Sequence, residues 1–204
     1  MLNSTAIVKE AESVTGLTNL GNPLFIEGFY KLVDSINHEA DLTDMGIQAQ
    51  HHRLMGVLVN MLRLEAEVQQ HPDILDESIR TPVVIVGLPR TGSTMTHRLL
   101  AADPRHTAML WWEGRYPAML PGEQRGNPIE RMSLGKAEVE AVMAASPDAL
   151  SIHPWDYKGA DEEILLLEHT FFSTVPESFM RLPSYSAWVS QQDHEHAYKQ
   201  LKVM

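Results

Sequence analysis

The segment Pro82-Val83-Val84-Ile85-Val86 contains no polar side chain and runs directly into Gly87-Leu88-Pro89-Arg90-Thr91-Gly92-Ser93-Thr94. Four consecutive β-branched residues favour extended backbone over helix. The unbroken apolar character suits a strand covered on both faces, as in a parallel sheet, rather than a half-solvated one. Such a strand constrains the fold more than any other feature, because helices must then cover both sides of a sheet. The expectation is an α/β fold built on a parallel sheet.

The surrounding sequence predicts helices. Asn22 and Pro23 form a cap and a first-turn proline, followed by Leu24, Phe25, Phe29, Leu32, Val33 and Ile36 at helical spacing. Thr43 can cap a longer helix that uses Ile47, Leu54, Val57, Leu58, Met61, Leu62, Leu64 and Val68 and stops before Pro72. Residues 93–102 predict a helix ended by Asp103-Pro104, and 107–112 a short second strand. Further helices are expected near 128–145, 160–172 and 185–201. One strong strand and one weak one are fewer than a parallel sheet needs. The expectation is therefore a C-terminally truncated chain, or one that completes its sheet through a partner.

The loop has a chemistry of its own. Glycines let the backbone turn tightly, and the freed amides together with a helix N-terminus can face an anion. Gly87 and Gly92 have the spacing of a nucleoside-triphosphate P-loop, but Ser93 stands where that loop needs lysine. Positive charge sits instead inside the loop, on Arg90, whose guanidinium can hold a tetrahedral oxyanion by two parallel hydrogen bonds. The plain alternative is a strand-to-helix connection with no ligand.

Composition narrows the partners. The 204 residues carry 16 Lys plus Arg against 27 Asp plus Glu, a formal net charge of −11. That field disfavours nucleic acid as a general partner while leaving room for a small anion in a local positive pocket. Apolar residues make up 44%, enough for a sizeable core, and the absence of cysteine excludes disulfides and thiolate–metal sites. No apolar stretch reaches membrane-spanning length and no basic start leads into an apolar run, so a cytoplasmic protein is expected.

Residues 82–94 together with His97-Arg98-Leu99-Leu100-Ala101-Ala102-Asp103-Pro104 resemble the bacterial sulfotransferase family, specifically between Pro82 and about Pro117. The resemblance implies a P-loop-NTPase-like three-layer core. Its helical N-terminal extension would be 1–79, and 80–204 would be the N-terminal portion of the α/β domain. It implies 3′-phosphoadenosine 5′-phosphosulfate as co-substrate, without a metal. The donor contacts would be Gly87, Pro89, Arg90, Thr91, Gly92, Ser93 and Thr94, with Arg90 also catalytic. Many sulfotransferases have lysine at the position of Arg90; the protein-tyrosine branch has arginine. That branch also has a Glu-x-Arg segment whose glutamate takes the acceptor's proton, and Glu113-Gly114-Arg115 is similar to it. Some sulfotransferases use a histidine base, which makes His153 a second candidate. The family's later strand with an arginine and a serine for the 3′-phosphate has no counterpart here.

The implied activity moves a sulfuryl group to a hydroxyl or amine acceptor, a small molecule or a lipid-like one, with a homo-oligomer allowed. Two alternatives stand beside it: a P-loop kinase or nucleotide-binding protein, and a truncated, non-catalytic interaction module. Asp161-Glu162-Glu163 predicts acidic residues at a helix N-terminus, and the resemblance implies a stretch toward the acceptor, with Glu162 or Glu163 at the pocket's border. His51-His52 diverge by ~100° on their helix and predict solvated residues rather than a metal pair. Trp111-Trp112 predict core and rim.

Overall fold

The computed structural model describes residues 1–80, 83–88, 90–148 and 153–204. They form two compact units, one from Met1–Glu77 with Leu166–Met204, the other from Ser78–Leu165.

The first unit is helical. Helix α1 (Ser4–Thr15) is capped by Asn3, whose side chain accepts from Ala6 N, and ends at Gly16 with φ 70°. Helix α2 (Pro23–Glu39) starts as its sequence dictates: Asn22 accepts from Leu24 N and Pro23 fills the first turn, where a missing N–H does no harm. Helix α3 (Asp44–Gln70) is capped by Thr43 through Gly46 N and is followed by a 3-10 turn, Pro72–Asp76. The apolar face of α2 (Phe25, Phe29, Leu32, Val33, Ile36) and that of α3 (Leu54, Val57, Leu58, Met61, Leu62) share one core with Ile7, Phe171, Phe172, Tyr185 and Val189. Gly28 admits the returning chain: a Cβ there would lie 2.9 Å from the Phe171 carbonyl oxygen. The Tyr185 hydroxyl donates to that same oxygen at 2.8 Å. A buried ion pair closes the unit, with Arg53 gripping Glu168 through Nε and Nη2 at 2.5 and 2.8 Å.

The second unit carries helix α4 (Ser93–Ala101), the short α5 (Trp111–Arg115) and α6 (Ile129–Ala145). Helix α5 packs on α6 at Gly135, where a Cβ would lie 2.7 Å from Trp112 Cβ. Arg115 bonds Glu138 through Nε (3.1 Å) and Nη2 (2.9 Å), and Arg131 covers the Trp112 ring 5.1 Å from its centroid. Helix α7 (Ile164–Leu167) begins at the end of this unit, and the 3-10 turns Glu168–Thr170 and Val175–Ser178 follow. The chain finishes with α8 (Pro183–Ser190) and α9 (Glu195–Val203) in the first unit.

The expected α/β core with a parallel sheet is overturned. Among the described residues no strand forms, and the one β-type pairing is an isolated antiparallel bridge between Leu110 and Ala160. Residues 83–88 run without secondary structure, and Val84, Val86 and Leu88 are 72, 89 and 77% exposed. The physical reason is that β-branched side chains make a segment extended, but a strand also needs a neighbour for its backbone groups and cover for its faces. The weak strand expected at 107–112 fails as well: its end turns into α5, which Trp111 and Trp112 anchor in the interior at 2 and 5% exposure. The helix expected at 160–172 shrinks to α7 and a 3-10 turn, and that expected at 185–201 divides at Gln191–His194. Pro82, expected to open the first strand, lies outside the described residues.

Candidate anion-binding loop and its surroundings

The loop leading into α4 lies at the surface. Gly87 is the point of close approach, since a Cβ there would meet the Thr91 hydroxyl oxygen at 3.0 Å. That hydroxyl donates to the Leu88 carbonyl at 2.6 Å and ties the turn across itself. Arg90 has φ 67°, a left-handed conformation that a side-chain-bearing residue adopts only under local constraint. Gly92 has φ 88° and open space around its Cβ position, so it supplies both the turn and the clearance that a ligand at the backbone needs. Pro89 lies outside the described residues.

Gly92 is also the N-cap of α4, and no side chain caps that end. The first-turn amides of Ser93, Thr94 and Met95 consequently lack the side-chain acceptor that Asn3, Asn22 and Thr43 give the earlier helices. The partial positive charge of the helix end adds to theirs. Thr96 folds back, its amide and hydroxyl both donating to the Gly92 carbonyl at 3.0 and 3.1 Å.

A second segment, residues 153–162, lies along α4. The Thr94 hydroxyl donates to Glu162 Oε1 at 3.4 Å. One turn further along the same helix face, Arg98 donates to the Pro154 carbonyl at 2.7 Å and the Ala160 carbonyl at 3.4 Å. Gly159 leaves room for that guanidinium, whose Nη2 lies 2.7 Å from where a Cβ would be. The backbone around Leu110 fastens the segment from its other side. Trp111 N donates to Gly159 O at 2.9 Å, Trp112 N to Tyr157 O at 3.1 Å, and Asp161 N to Met109 O at 3.0 Å.

The two expected proton acceptors both lie in this unit. Glu113 accepts the backbone N–H of Leu110 through Oε2 at 2.7 Å, which closes the start of α5 and occupies one carboxylate oxygen. Its neighbour Arg115 turns to Glu138, which also accepts from the Tyr116 hydroxyl at 2.9 Å. Burial, followed by the Glu138 carboxylate, pushes the Tyr116 hydroxyl well above its ordinary range. His153 pairs through Nε2 with Asp161 Oδ2 at 3.0 Å. The structure therefore brings Thr94, Glu162, Asp161 and His153 together through one connected set of contacts and places the Glu113 carboxylate at the start of α5.

Sequence reasoning missed Asp161 and Arg98 as neighbours of the loop's surroundings, whereas Glu162 was already a candidate border of the acceptor pocket and does meet Thr94. The run Asp161-Glu162-Glu163 reads as the acidic start of a helix, and α7 does begin directly after it, at Ile164. What the sequence did not signal is the turn at 154–160 that carries the run back against α4.

The turn leads into a helix start with no side-chain cap, with a guanidinium inside the loop and no lysine at its end. The chain belongs to the sulfotransferase family, whose family model matches residues 82–202. Sulfotransferase STF1 from Mycobacterium tuberculosis H37Rv is similar in structure with a TM-score of 0.75 and 27% identity, over 99% of this chain and 56% of that one. Sulfotransferase STF9 from Mycobacterium avium is similar with a TM-score of 0.81 and 26% identity, over 100% of this chain and 53% of that one. This chain thus spans little more than half the length of either relative. A comparison with curated proteins finds no match. Among the described residues no helix is long and apolar enough to cross a membrane.

Proposed function

We propose that the protein transfers a sulfuryl group from 3′-phosphoadenosine 5′-phosphosulfate to a hydroxyl or amine on a small or lipid-like acceptor. One observation carries the reading: in a chain of the sulfotransferase family, an exposed turn between Gly87 and Gly92 leads into an uncapped helix start and carries Arg90. The residues fit the sulfated end of such a nucleotide. The amides at 92–94 and the helix end attract the anion, Gly92 lets it reach the backbone, and Arg90 and the Ser93 hydroxyl add donors, joined by the Thr94 hydroxyl once it turns from Glu162.

In the reaction the acceptor oxygen or nitrogen forms a bond to sulfur while the bond from sulfur to the 5′-phosphate oxygen breaks. The electron pair leaves on that phosphate, and 3′-phosphoadenosine 5′-phosphate is released. Charge spreads over oxygens in the transition state, so fixed donors and alignment supply the acceleration. Removing one such donor costs ~3 kcal/mol in comparable oxyanion sites. Arg90→Ala is therefore expected to reduce transfer by about two orders of magnitude.

Thermal melting tests the donor class. Saturating 3′-phosphoadenosine 5′-phosphate, at about a hundred times its dissociation constant, adds ~2.7 kcal/mol and raises Tm by several degrees. ATP with magnesium leaves Tm unchanged. Stabilisation by ATP with magnesium alone would point to a kinase-like loop and overturn the reading.

A further inference from the structure

The pair His153–Asp161 has the parts of a proton-accepting unit. Asp161 is 6% exposed, and His153 Nε2 lies 3.0 Å from its Oδ2. The other carboxylate oxygen, Oδ1, accepts the Glu162 amide at 2.8 Å, and the Asp161 amide is tied to Met109. The carboxylate is consequently held at both oxygens, and the backbone that carries it by a third bond. The imidazole also meets the Trp155 ring in a T-shaped contact with centroids 5.4 Å apart, and Trp155 itself meets Trp111 at 6.1 Å. No described residue bonds to Nδ1 of His153. A carboxylate accepting from Nε2–H fixes that tautomer and leaves the lone pair on Nδ1. Through Pro154, Ala160 and Glu162 the pair hangs on the face of α4 that carries Thr94 and Arg98.

We propose that Asp161 is a positioning residue: it holds His153 in the Nε2–H tautomer and so makes Nδ1 the atom that takes the acceptor's proton during sulfuryl transfer. The inference rests on the sulfuryl-transfer reading and selects within it, since Glu113 already has one oxygen occupied by the start of α5. As the acceptor oxygen bonds to sulfur, its proton passes to Nδ1, and the electron pair of the breaking sulfur–oxygen bond leaves on the 5′-phosphate. The imidazolium that results faces the Asp161 carboxylate, and its proton is later lost to water.

The test combines a spectroscopic and a kinetic readout on ¹⁵N-labelled protein. Long-range ¹H–¹⁵N correlations at alkaline pH, where imidazole is neutral, are expected to show His153 protonated at Nε2 in the wild type. In Asp161→Asn, whose amide can donate to Nε2, the population moves to the Nδ1–H form. Turnover with 3′-phosphoadenosine 5′-phosphosulfate falls roughly 10²–10⁴-fold in Asp161→Asn and in His153→Gln. The double variant falls no further than His153→Gln alone, because the two residues act as a unit. Stabilisation by 3′-phosphoadenosine 5′-phosphate stays at the wild-type level in all three and shows that they fold. An Nδ1–H tautomer in the wild type, or undiminished turnover of Asp161→Asn with normal nucleotide stabilisation, overturns the role of Asp161 alone. A wild type with neither turnover nor nucleotide stabilisation overturns the parent reading and this one with it.

Discussion

The Arg53 guanidinium and the Glu168 carboxylate show how few side chains tie α3 to the chain after α7. Glu168 is 5% exposed at its side chain, and Arg53 also lies over the Phe179 ring at 4.8 Å. Truncating one partner of a buried pair leaves the other charge without its counter-ion, a loss of ~3–5 kcal/mol. Arg53→Ala is accordingly expected to lower the unfolding free energy by that amount, read as a lower urea midpoint, while Arg53→Lys, which keeps charge but not the fork, loses less. Glu65 gives a pH prediction of the opposite sense. Burial raises its carboxyl above the ordinary 4.5, only partly offset by the Gln200 amide that donates to Oε1 at 3.2 Å. A carboxyl whose folded value is raised contributes stability below about the ordinary value, and that contribution disappears as pH rises through the folded one. Glu65→Gln should therefore unfold at higher denaturant than wild type at neutral pH, with the difference vanishing below pH 4.5.

At the scale of the element, side-chain capping marks where α1, α2 and α3 begin. Thr43→Ala removes the acceptor for Gly46 N at the start of α3 and should cost ~1 kcal/mol in chemical denaturation. Close packing limits α5 and α6 more sharply. Gly135→Ala would press a methyl to 2.7 Å from Trp112 Cβ, and overpacking of that kind costs ~1–3 kcal/mol, read from the same denaturation curve. These elements explain what was legible in the sequence. Asn22-Pro23 and Thr43 mark helix starts by local chemistry that needs no distant partner, and α2 and α3 begin where those residues place them. The loop was legible for the same reason, because Gly87 and Gly92 answer to local geometry. The strand at 83–88 was not, because its fate depends on neighbours that the described residues do not provide. Nor was the pairing of His153 with Asp161: the two are eight positions apart across an irregular turn, where no helical or strand period applies.

For the molecule as a whole, two units with different packing should differ in how they open. The first has a continuous core from α1 to α9, while in the second no backbone N–H of 83–88 finds a partner among the described residues. Hydrogen exchange is expected to be slow at the α2 and α3 amides and near the intrinsic rate at 83–88. Protected amides at 83–88 in the free protein would contradict the exposed, unpaired segment. At the turn beside that segment, amides and a guanidinium are proposed to meet a sulfated nucleotide. Titration of ¹⁵N-labelled protein with 3′-phosphoadenosine 5′-phosphosulfate tests it most directly, residue by residue. The expected result is saturable shifts concentrated at the amides of Gly92, Ser93 and Thr94, lost in Arg90→Ala and not reproduced by ATP with magnesium. Unchanged amides at these three positions, with or without shifts elsewhere, would contradict it.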